Sequence, residues 1–114
     1  MLNIDIEYKR GILFIRLKGI LNKSTSLKLD AILDSAIVGA GIKYLMINCE
    51  KLNSIDNEGL KVINKRCLEL LGNEGKLLVC GFNEYVRLKI ESSSLDKLIY
   101  KTNNEIGAFN IISI

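Results

Sequence analysis

The N-terminal residues alternate between apolar and charged side chains. Residues 4–9 run Ile-Asp-Ile-Glu-Tyr-Lys, and this period of two is typical of a strand with one face in water. A turn is predicted at Lys9-Arg10-Gly11, and the apolar run at 13–17 predicts a second strand that Gly19 ends. Because the link between the two runs is short, they are predicted to form an antiparallel hairpin.

Beyond the hairpin, helical and strand patterns follow one another along the chain. Apolar residues spaced by about 3.6 positions indicate helices, and near-continuous apolar runs indicate strands that are covered on both faces. The predicted elements are a helix from a Ser24 or Thr25 cap to about Val38, a strand at 44–49, a helix from an Asp56 cap to Leu71, a strand at 77–81, a short helix at 84–90, a strand at 98–100 and a helix from Asn103 or Asn104 towards Ile112. Their order indicates one α/β domain over residues 1–114, with an N-terminal β-hairpin and about four helices packed against a mixed, mostly parallel sheet.

Composition and charge fit a folded domain of this kind. Hydrophobic residues make up 48% of the 114 residues and charged residues 25%, which is not a disordered composition. The net charge is +3, and the densest basic group, Lys61, Lys65 and Arg66, is interpreted as a solvated helix face. The apolar runs are shorter than the about 18 residues of a membrane span, and the N-terminus resembles no targeting peptide. We therefore expect a cytoplasmic protein whose partners include neither membrane nor nucleic acid.

Several kinds of chemistry are missing from the sequence. The chain contains no histidine, so it lacks a Ser-His-Asp or Cys-His arrangement, and a zinc site would need unusual ligands. Gly39-Ala40-Gly41 follows a helix and precedes a strand, which is the wrong context for phosphate binding. Cys49, Cys67 and Cys80 are widely spaced and odd in number, and we expect them to be buried thiols. We expect no enzyme activity, no metal and no cofactor.

One segment carries the identification. Residues 47–60 comprise a buried strand, a loop, the capping residue Asp56, two polar residues, and then Gly59 and Leu60 at a helix start. This resembles the signature of STAS domains, and residues 17–22 and 75–80 are similar to two further family segments. The element order agrees over essentially the whole chain, and the likeness is to the anti-sigma factor antagonists that control sporulation and stress sigma factors.

The resemblance implies a partner switch. Members of the family bind an anti-sigma factor, often a GHKL-type serine kinase, and so free a sigma factor. The kinase phosphorylates the serine after the capping aspartate, and the added charge ends binding. That serine is replaced by Asn57 here, and a family aspartate is replaced by Asn22. The implied partner surface consists of Asn22, Ser24, Thr25, Ser54, Ile55, Asp56, Asn57, Glu58, Gly59 and Lys61.

These substitutions leave alternatives open. Asn57 either imitates the unmodified serine, which would give a permanently competent antagonist, or marks a non-phosphorylated scaffold subunit of a larger signalling assembly. Glu58 either selects a different partner or is an ordinary first-turn residue. Ser54 and Ser24 are candidate substitute phosphorylation sites, and Ile55 is predicted to be buried. A small-ligand or nucleotide sensor and a homodimer also stay open.

Overall fold

The computed structural model describes residues 1–112. Nine regular elements follow the predicted order, together with a π-helical turn at Ser35–Gly39 and a 3-10 turn at Ser94–Lys97. The elements are β1 (Leu2–Lys9), β2 (Ile12–Leu21), α1 (Lys23–Asp34), β3 (Tyr44–Ile55), α2 (Asn57–Gly72), β4 (Lys76–Cys80), α3 (Glu84–Glu91), β5 (Tyr100–Thr102) and α4 (Ile106–Ile111). The α/β class and the four helices are confirmed.

The five strands form one sheet in the order β1-β2-β3-β4-β5. β1 pairs antiparallel with β2, and the other neighbours are parallel, so the predicted hairpin and the mostly parallel sheet are both confirmed. The hairpin turn places Arg10 at φ 53° and Gly11 at φ 83°. Two successive positive φ values are what a tight hairpin turn needs to match the twist of its strands.

The helices are divided between the two faces of the sheet. Buried residues of α1, α2 and α3 form one cluster with Leu45 and Ile47 of β3. The other face is covered by α4, whose Ala108 packs in a smaller cluster with Phe14 and Met46. Because β3 is buried on both faces, its apolar run is nearly continuous, as the sequence indicated.

The strand boundaries differ from those predicted. β2 continues past Gly19 to Leu21, and β3 continues to Ile55, where the two strands still pair. The residues at 50–55 were therefore wrongly predicted to form a loop, because polar side chains interrupt the apolar pattern while the backbone keeps a partner strand. The last strand lies at Tyr100–Thr102 rather than 98–100, since Leu98 and Ile99 pack against the core instead.

The last helix also begins later than expected. It starts at Ile106 rather than at Asn103 or Asn104, although the Asn104 side chain accepts a hydrogen bond from Gly107 N at 3.1 Å, as a helix cap does. This contact holds a turn ahead of the helix.

The basic group on α2 is only partly solvated. Lys61 and Lys65 are exposed, but Arg66 is 6% exposed, so its assignment to a wet face was wrong. Its guanidinium contacts three carboxylates, Asp30 at 2.7 Å, Asp34 at 3.1 Å and Glu69 at 2.8 Å. The contacts with Asp30 and Asp34 join α2 to α1, whereas Glu69 lies on α2 itself. The ion pairs raise the pKa of Arg66, with Asp30 as the main cause.

The three cysteines are buried free thiols, as predicted. Loss of hydration raises the pKa of Cys49 to about 12 and that of Cys67 to about 11. Burial likewise raises the pKa of Cys80 to about 11, with smaller contributions from Glu105 and Glu50. Within residues 1–112, no helix has both the length and the apolar character that crossing a membrane requires.

Candidate partner-binding site

Asp56 caps α2, as the sequence predicted. Its backbone is extended, with φ −105° and ψ −177°, and its Oδ1 accepts a hydrogen bond from Gly59 N at 3.0 Å. A side-chain oxygen in this position satisfies one of the N–H groups that a helix start leaves without a partner. Asn57 and Glu58 therefore lie in the first turn of the helix.

Asn22 caps α1, so the prediction of Ser24 or Thr25 as the cap was wrong. Asn22 Oδ1 accepts from Ser24 N at 2.9 Å and from Thr25 N at 3.1 Å. In return, Asn22 N donates to Thr25 Oγ1 at 2.9 Å, which completes a capping box. Asn22 takes this place because it is the first residue after β2 and has extended backbone geometry.

The two helix starts are linked to each other. The second carboxylate oxygen of Asp56 accepts from Lys23 N at 3.1 Å, and Asp56 N donates to Leu21 O at 3.1 Å. Because β2 and β3 are parallel neighbours, their carboxyl ends meet at one edge of the sheet. We call this edge, with the first turns of α1 and α2, the switch corner. It brings the 19–25 and 53–61 segments side by side.

A third helix start lies near the same edge. Asn83 Oδ1 accepts from Val86 N at 2.8 Å and so caps α3, while its Nδ2 donates to Leu52 O at 2.9 Å. Three helix N-termini thus lie around the ends of β2, β3 and β4. The positive ends of the three helix dipoles make this edge favourable to negative charge.

The predicted residues divide into exposed and supporting ones. Ser24, Asn57 and Lys61 are exposed, and Asn22, Thr25, Ser54, Asp56 and Glu58 are partly exposed. Ile55 is 1% exposed, which confirms the prediction that it is buried. Gly59 is buried as well, and a β-carbon built there would lie 2.7 Å from Leu21 Cγ. Ile55 and Gly59 therefore support the surface from beneath.

A groove continues from the switch corner along α2. It has a volume of about 700 Å³ and lies between α2 and the 3-10 turn at Ser94–Lys97. Leu68, with 52% of its surface exposed, lies in its wall together with Lys65. Near the mouth of the groove, Glu58 pairs with Lys61 at 3.3 Å, so the fixed negative charge of Glu58 is partly balanced.

A polar network on the opposite face of the sheet was missed by the sequence prediction. The guanidinium of Arg16 donates to both oxygens of Glu105 at 2.8 Å, to Asp5 at 2.8 Å and to Glu7 at 2.7 Å. Asn48 Nδ2 also donates to Glu105 at 2.8 Å. These contacts lower the pKa of Glu105, with Arg16 as the main cause. The only signal in the sequence was the presence of Arg16 and Asn48 on the same strand faces as Phe14 and Met46.

This polar network lines a crevice of about 710 Å³ beside α4. Arg16 is already engaged by three carboxylates, and its two contacts with Glu105 tie the start of α4 to the sheet. Among residues 1–112, no group of three or more acidic, cysteine or histidine side chains is arranged to hold a metal ion.

The fold and the switch corner together define a class of protein. It is a small α/β domain in which an N-terminal hairpin leads into a parallel sheet, with the helix starts gathered at one edge. A model of the STAS domain family matches residues 3–108. The chain therefore belongs to the STAS domain family.

Individual relatives agree with this assignment. The anti-sigma F factor antagonist of Paenibacillus polymyxa is 29% identical over 113 residues, which cover 99% of this chain and 97% of that protein. The crystal structure of an anti-sigma factor antagonist from Mycobacterium paratuberculosis has a TM-score of 0.87 at 20% identity, over 100% of this chain and 96% of that one. The Bacillus cell fate determinant SpoIIAA in its phosphorylated form has a TM-score of 0.77 at 21% identity, over 96% of this chain and 100% of that one. The two structures share the fold of this chain.

Proposed function

We propose that this protein is a cytoplasmic anti-sigma factor antagonist, which binds an anti-sigma factor through the switch corner and so frees a sigma factor. The observation that carries the proposal is the exposure of Asn57 in the first turn of α2, directly after the Asp56 cap and beside the start of α1. The names of the similar proteins from Paenibacillus polymyxa and Mycobacterium paratuberculosis support it. In this proposal the protein binds its partner and catalyses no reaction.

Asn57 changes how such a protein would be controlled. An asparagine has no hydroxyl group for a serine kinase to modify, yet its side chain is neutral and polar like that of an unmodified serine. We therefore infer that the corner stays in the binding-competent state. A phosphate in this place would add about −1.5 to −2 charges, and this chain has no means of adding it at position 57.

The same observation favours a second candidate. A STAS domain without a phosphorylatable residue at this position also suits a scaffold subunit of a larger signalling assembly. The two candidates differ in the partner they retain. Affinity capture of the tagged protein from its own cells would give an anti-sigma factor or GHKL-type kinase in the first case, and other STAS subunits in the second.

The binding test compares two asparagine-to-aspartate variants. Asn57→Asp places a negative charge at the corner, whereas Asn110→Asp places one at an exposed position on α4, on the opposite face of the sheet. With the anti-sigma factor encoded in the same genome, titration calorimetry should show that Asn57→Asp weakens binding by about tenfold or more. Asn110→Asp should bind like the wild type. If the anti-sigma factor does not bind wild-type protein, or if the two variants bind equally, the proposal is wrong.

A second experiment asks whether the corner still fits a kinase. Asn57→Ser is incubated with the partner kinase and ATP, and its intact mass is measured. If the surrounding residues have kept their recognition role, the mass rises by one phosphoryl group while the wild-type mass does not change. If the wild type gains the group instead, another residue such as Ser24 or Ser54 is the substitute site, and peptide mapping identifies it.

A further inference from the structure

The outer edge of β1 is open. Within the described part of the chain, β1 pairs with β2 alone. Ile20 N donates to Met1 O at 3.0 Å, which identifies these two residues as a hydrogen-bonded pair of the antiparallel ladder. Such pairs recur at every second residue. Odd-numbered residues of β1 therefore direct their backbone groups towards β2, and Ile4, Ile6 and Tyr8 direct theirs outward.

The side chains along this edge are apolar on one face. Ile6 is 46% exposed and Tyr8 61% exposed, on the face that carries α1. They border an apolar groove of about 510 Å³ whose other wall includes Ile32, Ala36 and Ile42. An edge strand that exposes both apolar side chains and free backbone groups tends to pair with another strand. Natural proteins usually cover or otherwise protect such an edge.

We propose that two copies of this chain associate through β1, antiparallel to each other, with Glu7 opposite Glu7 of the second copy. The outward backbone groups restrict the pairing strongly. Only even-numbered residues can form the new hydrogen bonds, so the two-fold axis must pass at a residue rather than between two. Leu2 O already accepts from Lys28 Nζ at 2.9 Å, so an axis at residue 5 would lose the pair between Leu2 and Tyr8. The registers that remain have the axis at residue 6, 7 or 8.

Charge decides between these three registers. An axis at residue 6 places Asp5 opposite Glu7 of the other copy, twice, which is unfavourable. An axis at residue 8 reduces the overlap to residues 7–9 and sets Ile6 opposite Arg10. An axis at residue 7 places Asp5 opposite Lys9 and Ile6 opposite Tyr8, each twice by symmetry. The two Glu7 carboxylates then face each other, which makes one like-charge pair beside two opposite-charge pairs, whereas the register at residue 6 has two like-charge pairs.

The resulting dimer has one continuous ten-stranded sheet. Its two-fold axis is perpendicular to the sheet, because opposite residues of an antiparallel pair lie on the same face. The carboxyl ends of β2 and β3 point in opposite directions in the two copies. The two switch corners therefore lie on opposite sides of the joined sheet, and each stays open to a partner. The proposal is independent of what the corner binds, since β1 contributes no residue to that site.

Charge exchange tests the register. Asp5→Lys alone sets the introduced lysine against Lys9, and Lys9→Asp alone sets the introduced aspartate against Asp5, so each variant should dimerise about tenfold more weakly or worse. Mixed in equal amounts, the two variants form a heterodimer in which one strand carries only lysine and the other only aspartate at these positions, so both opposite-charge pairs return. In sedimentation velocity, the wild type and the mixture should approach twice 12.8 kDa, while each variant alone stays near the monomer mass. A wild type that is monomeric up to about 1 mM, or a mixture that does not recover, would overturn the proposal.

Cross-linking gives a measurement that does not depend on charge reversal. Glu7→Cys places two thiols directly opposite each other, and mild oxidation should link the copies. Ile6→Cys is the matched control, because this register offsets the two introduced thiols diagonally, beyond the about 7 Å that a disulfide spans. Linkage at position 6 in preference to position 7 would refute the register, and linkage at neither position would refute the interface.

Discussion

The carboxylate of Asp56 accepts a hydrogen bond from the backbone N–H of Lys23, which lies 33 positions earlier in the chain. Its other oxygen caps α2 at Gly59, so one side chain satisfies donors from two helix starts. This arrangement fixes the position of α1 relative to α2 at the edge where Asn22 and Asn57 lie. The switch corner is therefore set by a side chain that does not itself need to contact a partner.

Removing this carboxylate should loosen both helix starts. We expect Asp56→Ala to lower the free energy of unfolding by about 1–2 kcal/mol, because two backbone N–H groups lose their acceptor. Asp56→Asn should cost less, since an amide oxygen can still cap the helix. Urea denaturation measures both values. Ser24→Ala, at an exposed position in the first turn of α1, serves as the control and should change stability by less than about 0.5 kcal/mol. Equal effects of Asp56→Ala and Ser24→Ala would contradict the bridging role.

The corner shows which features local sequence can predict. An aspartate ahead of an amphipathic run is a strong local signal, so Asp56 was correctly predicted as a cap. The end of β3 was not predicted correctly, because polar residues at 50–55 interrupt the apolar pattern around the two buried residues Leu52 and Ile55. The strand continues there because β2 pairs beside it. The cap at Asn22 was missed for the same reason, since β2 extends beyond Gly19.

Gly59 and Gly72 provide a matched pair of substitutions within α2. A β-carbon at Gly59 would lie 2.7 Å from Leu21 Cγ and 3.1 Å from Ile55 Cγ1, whereas one at Gly72 would meet nothing within 4 Å. Gly59→Ala should therefore lower the free energy of unfolding by about 1–3 kcal/mol through overpacking. Gly72→Ala should raise it by up to about 1 kcal/mol, because alanine favours the helix. Thermal unfolding followed by circular dichroism measures the change in stability of both variants. If Gly59→Ala is stabilising, α2 does not pack tightly on the end of β2.

Arg66 joins α2 to α1 through charge. Its contacts with Asp30, Asp34 and Glu69 leave three carboxylates without a counter-ion when the guanidinium is removed. We expect Arg66→Ala to cost about 2–3 kcal/mol, less than for a fully buried pair because the three acids are partly exposed. The neighbouring exposed Lys65→Ala is the control, and its effect should stay below about 0.5 kcal/mol. A double-mutant cycle with Asp30→Ala should show coupling, and additive effects would mean that packing alone explains the loss.

Sequence could not reveal the role of Arg66, for a physical reason. Within α2 it is one of three basic residues on a helix with alternating charge, and this pattern usually indicates a solvated face. Its acidic partners in α1 lie 36 and 32 positions away, and only the packing of α1 on α2 brings them near. The same holds for Arg16 and Glu105, which are 89 positions apart.

Glu105 should make the attachment of α4 sensitive to acid. Arg16 holds its pKa below the ordinary value of 4.5, so the folded state binds the proton less readily than the unfolded chain. The stabilisation is therefore fully present well above pH 4.5 and is lost progressively as the pH falls through that value towards the lowered pKa. Glu105→Gln should reduce stability at pH 7 by about 1 kcal/mol and flatten the decline between about pH 5 and pH 3. The free energy of unfolding, measured across this range in urea, gives both results. Glu74→Gln, at an exposed position in the turn before β4, should follow the wild-type curve. If Glu105→Gln declines in parallel with the wild type, the contact with Arg16 does not anchor α4.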